Sequence, residues 1–188
     1  MARQGLMDGE IDHILVSEEQ IRARVKELGE QISRDYAGEE IVLLCILKGA
    51  CVFFTDLARA LDLHIKMEFM AISSYGNSRE TSGVVRINKD MDMSITGRHV
   101  LIAEDIMDSG LTLSHLKKLL SARNPASLKV ACLLDKPSRR ECDITPDYTG
   151  FEIPNEFVVG YGLDYMGRYR NLPYVGVLRP VVYNRPKD

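Results

Sequence analysis

The chain has 188 residues, of which 45% are hydrophobic and 27% are charged, as expected for one soluble domain with a sizeable core. Its 24 basic and 27 acidic residues give a net charge of −3, which argues against the basic surface of a nucleic-acid-binding protein. The longest apolar run, residues 41–47, is too short to cross a bilayer, and the first residues lack the apolar stretch of a signal peptide. We therefore predict a single cytoplasmic domain over residues 1–188, with no nucleic-acid or membrane partner.

The four cysteines, Cys45, Cys51, Cys132 and Cys142, form no C-x-x-C pair. Cys45 and Cys132 lie inside apolar runs that have the composition of buried strands. Small apolar cysteines of this kind are typical core residues in a reducing compartment. The cysteines therefore favour the same cytoplasmic location.

Hydrophobic periodicity predicts a chain in which strands and helices alternate. The first element is a helix whose start is marked by Ser17 and Gln20, a pair suited to a capping box. Continuous apolar runs predict strands that are covered on both faces. The predicted helices are residues 18–36, a segment through Phe53, Leu57 and Leu61, and residues 111–122. The predicted strands are residues 41–47, 64–72, 84–87, 99–103, 128–134, 157–161 and 174–178.

The alternation of apolar strands with amphipathic helices predicts an α/β fold, with a mostly parallel sheet covered by helices on both faces. In such sheets, ligands bind beyond the carboxyl ends of the strands. The sequence SSYGNSRETS, residues 73–82, is polar and contains Gly and Asn, so we expect a mobile loop there. The residues that follow the other strands are the first candidates for chemistry.

The segment VLIAEDIMDSGLTL, residues 100–113, has the strongest functional pattern in the chain. Glu104, Asp105 and Asp108 follow its apolar strand, and the turn SGLT, residues 109–112, leads into a helix. A Gly and two hydroxyl residues at such a turn direct backbone N–H groups and the positive end of the helix at one point, as suits a phosphate. Three carboxylates would repel a bare phosphate, so the pattern predicts a ligand that also carries hydroxyl groups or a divalent cation such as Mg²⁺.

A simpler interpretation is a solvated acidic loop that caps the helix, with Asp108 or Ser109 as the N-cap residue. That interpretation does not explain two adjacent carboxylates at the end of a fully apolar strand, and it does not explain the sequence of the SGLT turn. A Walker phosphate loop is excluded, because the chain has no G-x-x-x-x-G-K-[ST] motif.

Residues 100–113 resemble the phosphoribosyl pyrophosphate binding motif of the type I phosphoribosyltransferases: an apolar strand, two acidic residues, a further Asp and a small hydroxyl-Gly-x-Thr turn. Other pieces resemble the hypoxanthine-guanine phosphoribosyltransferases of that family in order and spacing, over about residues 39–178. They are Leu47-Lys48-Gly49, Ser74-Tyr75, residues 133–136, and FEIPNEFVVGYGLD at residues 151–164. The resemblance implies a twisted, mostly parallel sheet in a core of about residues 37–178, plus a small hood built from the chain-terminal segments.

The resemblance implies roles for the acidic residues. Glu104 and Asp105 would lie at the ribose hydroxyls and at Mg²⁺, where negative charge stabilises the oxocarbenium-like sugar that forms as pyrophosphate leaves. Asp108 would be the catalytic residue and exchange a proton at N7 of the purine. Asp164 would be a further Mg²⁺-associated carboxylate. The phosphoribosyl group would be bound by Glu104, Asp105, Asp108, Ser109, Gly110, Leu111 and Thr112.

The resemblance also implies how the leaving group is held. Lys48, Gly49 and Arg170 match residues that contact pyrophosphate. Ser74 and Tyr75 match the loop that closes over the reaction and excludes water. Without the resemblance, Lys48 is equally an ordinary lysine at the end of a strand.

The purine pocket implied by the resemblance consists of Lys136, Phe157, Val158 and Asp164. Lys136 resembles the lysine that donates to the purine 6-oxo group, which favours hypoxanthine or guanine over adenine, whose exocyclic amine is itself a donor. Phe157 would stack on the purine face, and the backbone of Val158 would meet the Watson–Crick edge. In isolation, Phe157 is equally well interpreted as a core residue.

Together these features predict an Mg²⁺-dependent enzyme of purine salvage. It would convert hypoxanthine or guanine and phosphoribosyl pyrophosphate to IMP or GMP and pyrophosphate, and the resemblance implies a homodimer or homotetramer. One alternative is a phosphoribosyl pyrophosphate sensor of the same fold that binds RNA or DNA; it would need a basic face and would not need Lys136, Phe157 and Asp164. Another alternative is an enzyme that prefers xanthine, about which Lys136 says little.

Overall fold

The computed structural model describes residues 9–74 and 85–184 of the chain. The strands in these residues are β1 (Ile11–Val16), β2 (Ile41–Leu47), β3 (Ile65–Ser74), β4 (Val85–Lys89), β5 (His99–Met107), β6 (Ser127–Asp135), β7 (Tyr148–Glu152), β8 (Val158–Val159) and β9 (Val175–Leu178). The helices are α1 (Glu18–Asp35), α2 (Cys51–Ala60), α3 (Leu111–Ser121) and α4 (Pro180–Tyr183), and a 3-10 turn spans Pro137–Arg139.

The main sheet has six strands in the order β4-β3-β2-β5-β6-β7. All neighbouring pairs are parallel except β3 and β4, which are antiparallel at one edge. Helices α1 and α2 pack on one face with Leu43 and Cys45, and α3 packs on the other with Val42 and Leu44. The run IVLLCIL is continuously apolar because β2 is buried on both faces. The predicted fold class, a mostly parallel sheet with helices on both faces, is confirmed.

The local signals in the sequence account for the ends of α1. Ser17 adopts an extended N-cap conformation and forms a capping box with Gln20, in which each side chain bonds to the other residue's backbone N–H. The helix ends before Gly38, whose φ of +86° lies in the left-handed region that favours glycine. Apolar residues at helical spacing, Val25 and Ile32 among them, then bury one face of the helix against the sheet.

A second, three-stranded sheet of order β1-β9-β8 forms a hood from both ends of the chain. Its neighbours are antiparallel, and Ile11 pairs with Leu178. Val158 and Val177 of this sheet pack into the core around α1 and α2, whereas Val159 and Leu178 belong to a separate outer cluster. The hood therefore lies over the α1 and α2 side of the main sheet.

Two predicted strands are wrong in their extent, and two strands were missed. Strand β5 was expected to end at Ala103, but its pairing with β6 continues to Met107, opposite Asp135, so Glu104 and Asp105 lie on the strand and not in the turn after it. The strand expected over residues 157–161 has only the two residues of β8. Strands β1 and β7 were not predicted. None of the helices in the described residues is long and apolar enough to span a membrane.

Candidate active site

Strand β5 continues beyond the last residue that pairs with β2. This end of β5, unpaired on its β2 side, forms the centre of the site. The β2–β5 ladder ends at the pair Cys45 and Ala103, while the β5–β6 ladder continues. Glu104 and Asp105 lie in the part of β5 that β2 no longer flanks. The loop after β2 therefore comes to lie beside Asp105.

The carboxyl groups of Glu104 and Asp105 are in a water-poor environment. Burial raises the pKa of Glu104 well above its usual value, and the neighbouring charge of Asp105 raises it further. Burial also raises the pKa of Asp105 to about 6. Hydrogen bonds from backbone N–H groups, including that of Ile106 at 2.9 Å, and the charge of Arg170 act in the opposite direction and lower it. Asp164 is a second nearby carboxylate that raises it. A cation at this position would stabilise the ionised forms of both residues.

Two glycines bring the loop after β2 against β5 and the hood. A Cβ atom added at Gly49 would lie 2.8 Å from Cγ of Asp105, so a larger residue would displace that carboxyl group. Gly162 has a φ of +101°, and a Cβ there would lie 3.2 Å from the carbonyl carbon of Gly49. The peptide between Leu47 and Lys48 is cis. Lys48, the residue before Gly49 in this loop, is exposed.

Arg170 and Asp164 form an ion pair next to this loop. Nη2 of Arg170 is 2.5 Å from Oδ1 of Asp164, and Nη1 donates to the carbonyl of Gly162. The other carboxylate oxygen of Asp164 accepts a hydrogen bond from the N–H of Gly167 at 2.7 Å. The residues that were predicted for pyrophosphate and for the second carboxylate therefore lie together, beside Asp105.

The turn from β5 into α3 differs from the simple capping model. The N-cap residue is Gly110, with a φ of +80° and no side-chain hydrogen bond to the helix, so the simpler interpretation, with Asp108 or Ser109 as the N-cap residue, does not hold. A Cβ at Gly110 would lie 2.7 Å from the side chain of Ile144, which explains the glycine by close packing as well as by its φ. The N–H of Leu111 donates to Oγ of Ser109 at 3.4 Å, whereas the N–H groups of Thr112 and Leu113 have no side-chain partner among the described residues.

Asp108 is about half exposed and is held by two arginines that the sequence analysis did not single out. Nε of Arg139 donates to its carboxylate at 3.2 Å, and Nη1 of Arg140 donates to its backbone carbonyl at 2.5 Å. Arg140 also forms a buried ion pair with Asp135 at the end of β6. The available signal was the pair of adjacent arginines in the sequence KPSRR directly after a buried strand.

Lys136 follows β6 and is buried, with 6% of its surface exposed. Burial lowers its pKa, and its Nζ donates to the carbonyl of Glu156 at 2.7 Å. That carbonyl directly precedes Phe157, which is 40% exposed, so the interpretation of Phe157 as a core residue does not hold. Val158 starts β8. These three residues meet where the end of β6 approaches the hood.

The remaining predictions concern the closing loop and the metal ligands. Ser74 is the last residue of β3, and Tyr75 lies outside the described residues. In the described part of the chain, no three or more His, Cys, Asp or Glu side chains form a group that would hold a metal ion. Glu104, Asp105 and Asp164 therefore do not form such a cluster without further ligands.

Comparison with known proteins identifies the family. The family model for the phosphoribosyl transferase domain matches residues 14–166. The chain is 52% identical to the hypoxanthine-guanine phosphoribosyltransferase of Bacillus subtilis over 178 residues, which covers 95% of this chain and 99% of the relative. The chain belongs to the hypoxanthine-guanine phosphoribosyltransferases. It is therefore a pentosyltransferase, as the sequence motifs predicted.

Two further relatives support this membership of the phosphoribosyltransferase family. The chain is 54% identical to the hypoxanthine-guanine phosphoribosyltransferase of Mycobacterium tuberculosis over 184 residues, covering 95% of this chain and 91% of that protein. The crystal structure of a hypoxanthine phosphoribosyltransferase from Staphylococcus aureus superimposes with a TM-score of 0.95 at 46% identity, covering 98% of this chain and 100% of that one. The similarity to enzymes over nearly the whole chain does not favour the alternative of a nucleic-acid-binding sensor.

Proposed function

We propose that this phosphoribosyltransferase works in purine salvage, where it joins hypoxanthine or guanine to phosphoribosyl pyrophosphate and forms IMP or GMP and pyrophosphate. The observation that carries the proposal is the position of Lys136, which is buried and donates to the carbonyl of Glu156, the residue directly before the exposed Phe157. We place the base pocket at these residues, beyond the end of β6, the strand that pairs with the acidic end of β5. A regulator that only binds the sugar phosphate would not need Lys136 and Phe157 at these positions.

The phosphoribosyl group is proposed to lie along residues 104–112. The N–H groups at the start of α3 and the hydroxyls of Ser109 and Thr112 hold the 5-phosphate. Glu104 and Asp105 face the ribose, where their negative charge stabilises the positive charge that develops on the sugar as the bond to pyrophosphate breaks. Lys48, Gly49 and Arg170 take the pyrophosphate.

Magnesium fits the residues that are present. The carboxyl group of Glu104 has no hydrogen-bond or ion-pair partner among the described residues, and burial raises the pKa of Glu104 and of Asp105, so a cation nearby would stabilise their ionised forms. Mg²⁺ is commonly held by one or two carboxylates together with substrate phosphates. This agrees with the described residues, in which the carboxylates do not form a complete metal site by themselves. Glu104, Asp105 and Asp164 are the proposed ligands. Bound Mg²⁺ would neutralise and orient the pyrophosphate group.

The base is proposed to bind against Phe157, with Lys136 donating to its 6-oxo group and the backbone of Val158 at its Watson–Crick edge. Asp108 accepts the proton that the purine loses as its ring nitrogen attacks the sugar, and Arg139 keeps the carboxylate in position. Adenine is disfavoured because its amine and the ammonium group of Lys136 are both donors. Closure of the loop at Ser74 and Tyr75 over the sugar would exclude water from the reaction.

We also propose that the enzyme is cytoplasmic and assembles as a homodimer or homotetramer. All four cysteines are free, which suits a reducing compartment. The mass of the purified enzyme in solution tests the assembly.

The decisive experiment measures nucleotide formation from phosphoribosyl pyrophosphate with hypoxanthine, guanine, xanthine and adenine in parallel, with and without Mg²⁺. We expect turnover of hypoxanthine and guanine that depends on Mg²⁺, and little turnover of adenine. No turnover of any 6-oxopurine would refute the proposed reaction. Faster turnover of xanthine than of both other 6-oxopurines would establish the xanthine-preferring alternative instead.

A further inference from the structure

The short C-terminal helix α4 places an aromatic ring against Phe157. The rings of Phe157 and Tyr183 stack, with centroids 4.9 Å apart and planes inclined by 29°. Tyr165 makes a T-shaped contact with the same ring at 5.7 Å and 88°. Since Phe157 is nevertheless 40% exposed, part of its ring stays accessible although two aromatic rings contact it.

Tyr183 is anchored independently of Phe157. Together with Val182 it packs against the outer cluster of the hood. The chain just before α4 is fixed by the N–H of Arg179, which donates to the carbonyl of Glu10 at 2.9 Å. The carboxylate of Glu10 in turn accepts a hydrogen bond from the hydroxyl of Tyr169 at 2.6 Å. The hood therefore contacts the Tyr183 side chain and the chain before α4 at points other than Phe157. The outer cluster consists of Ile11, Val159, Tyr169, Leu172 and Leu178.

The backbone around Phe157 is fixed on both sides, but its ring depends on its aromatic neighbours. The carbonyl of Phe157 accepts a hydrogen bond from the N–H of Leu178 at 2.8 Å, and the preceding carbonyl, that of Glu156, accepts from Lys136 at 2.7 Å. These bonds set the position of the Cα atom and leave rotation of the side chain free. Contacts with Tyr183 and Tyr165 are what restrict that rotation.

We propose that Tyr183 is a positioning residue for the purine: it stacks on one face of Phe157 and so presents the opposite face to the base. The inference rests on the proposed function, in which Phe157 stacks on the purine. A side chain that is already held in its binding conformation has less rotamer entropy to lose on binding, so the base binds more tightly. Helix α4, whose residues have no proposed catalytic role, thereby contributes to recognition of the base.

The first test compares Tyr183→Ala with Tyr183→Phe and with Val181→Ala, a control on the exposed side of the same helix. Loss of a ring pair should raise KM for hypoxanthine roughly two- to tenfold, the usual range for an aromatic pair. KM for phosphoribosyl pyrophosphate and kcat should stay at the wild-type values. Tyr183→Phe should behave like the wild type, because the stacked ring is retained, and so should Val181→Ala.

The second test separates positioning from a general structural role by calorimetric titration with IMP and with ribose 5-phosphate, which lacks the base. Tyr183→Ala should bind IMP more weakly by the same factor and bind ribose 5-phosphate like the wild type. Equal losses for both ligands, or unchanged IMP affinity, would overturn the inference. Tighter binding of IMP would overturn it as well, since it would mean that Tyr183 occupies the place of the base. Failure of the proposed function is distinguishable, because the wild-type enzyme would then already fail to turn over hypoxanthine.

Discussion

Replacement of Gly49 by alanine tests the closest approach in the site, between the loop after β2 and the carboxyl group of Asp105. The added Cβ would lie 2.8 Å from Cγ of Asp105. Carbon atoms in contact are about 3.5–4.0 Å apart, and Oδ2 of Asp105 would lie closer still to the new Cβ, so the carboxyl group has to move by at least ~1 Å. The loop cannot retreat instead, because Gly162 of the hood packs against the Gly49 carbonyl on the other side.

The expected effect on activity is much larger than the effect on stability. A displacement of roughly 1 Å in a reacting group lowers the rate by about 10²-fold, and we expect a loss of this size in kcat/KM for phosphoribosyl pyrophosphate. The displaced carboxyl group of Asp105 gives up its hydrogen bond from the N–H of Ile106, which is worth about 1 kcal/mol. The free energy of unfolding should therefore fall by no more than about this amount.

The assay is initial-rate kinetics with phosphoribosyl pyrophosphate varied at saturating hypoxanthine, together with denaturant unfolding of the same samples. Gly9→Ala is the matched control, because an added Cβ there has no heavy atom within 4 Å, and it should match the wild type in both measurements. If Gly49→Ala kept the wild-type kcat/KM, the position of Asp105 would not matter for the reaction and the reasoning would be wrong.

Three further substitutions test the charged residues. Burial raises the pKa of Asp105 in the folded state to about 6, above its usual value of 3.8. The folded state therefore binds the proton more tightly than the unfolded state, and the protein loses stability as the pH rises through 6. Asp105→Asn should thus unfold at a higher denaturant concentration than the wild type at pH 8, and this difference should vanish near pH 4. Asp108→Asn should lower kcat by ~10²-fold or more while KM for phosphoribosyl pyrophosphate changes little, since only the proton acceptor is lost; normal turnover would disprove its role. Lys136→Ala should raise KM for hypoxanthine more than KM for phosphoribosyl pyrophosphate, and equal increases would argue against a contact specific to the base.

The elements that the sequence predicted well are those whose stability is decided locally or by burial on both faces. The continuous apolar run of β2 leaves no surface for water, and the structure has the strand at Ile41–Leu47 as predicted. The pair Ser17 and Gln20 fixes the start of α1 because its hydrogen bonds join residues three positions apart. Such features depend on few distant contacts, so one sequence is enough to find them.

Strands β1 and β7 were missed because distant segments hold them in place. β1 is mostly exposed in pattern and becomes a strand by pairing with β9, so that Ile11 meets Leu178. β7 contains Gly150, which usually disfavours a strand, but a Cβ there would lie 3.1 Å from the backbone of Leu133. Arg24 of α1 donates to the carbonyls of Thr149 and Gly150, which stabilises this edge. Sequence periodicity contains none of these long-range contacts.

The candidate site was predictable where its residues are contiguous and less so where the fold assembles it. The motif at residues 100–113 predicts by its pattern a phosphate ligand that also carries hydroxyl groups or a cation, although the strand proved to run through Glu104 and Asp105. The arginines at Asp108 and the ring of Tyr183 come from separate segments; the adjacent arginines in KPSRR were a weak signal, and Tyr183 had none. A residue that supports another across the fold is visible only in three dimensions.

The two carboxylates at the end of β5 explain why this motif is so informative. Burial of Glu104 and Asp105 side by side raises both pKa values, so their ionisation at neutral pH costs the fold stability that apolar residues in the same strand would provide. Folding alone therefore gives no reason for acidic residues at the end of a strand as apolar as β5. A cationic ligand does give one, since it recovers that cost when it binds. The same argument makes the Asp105→Asn variant a test of function, because a variant that gains stability and loses activity shows that the acidic pair serves the ligand and not the fold.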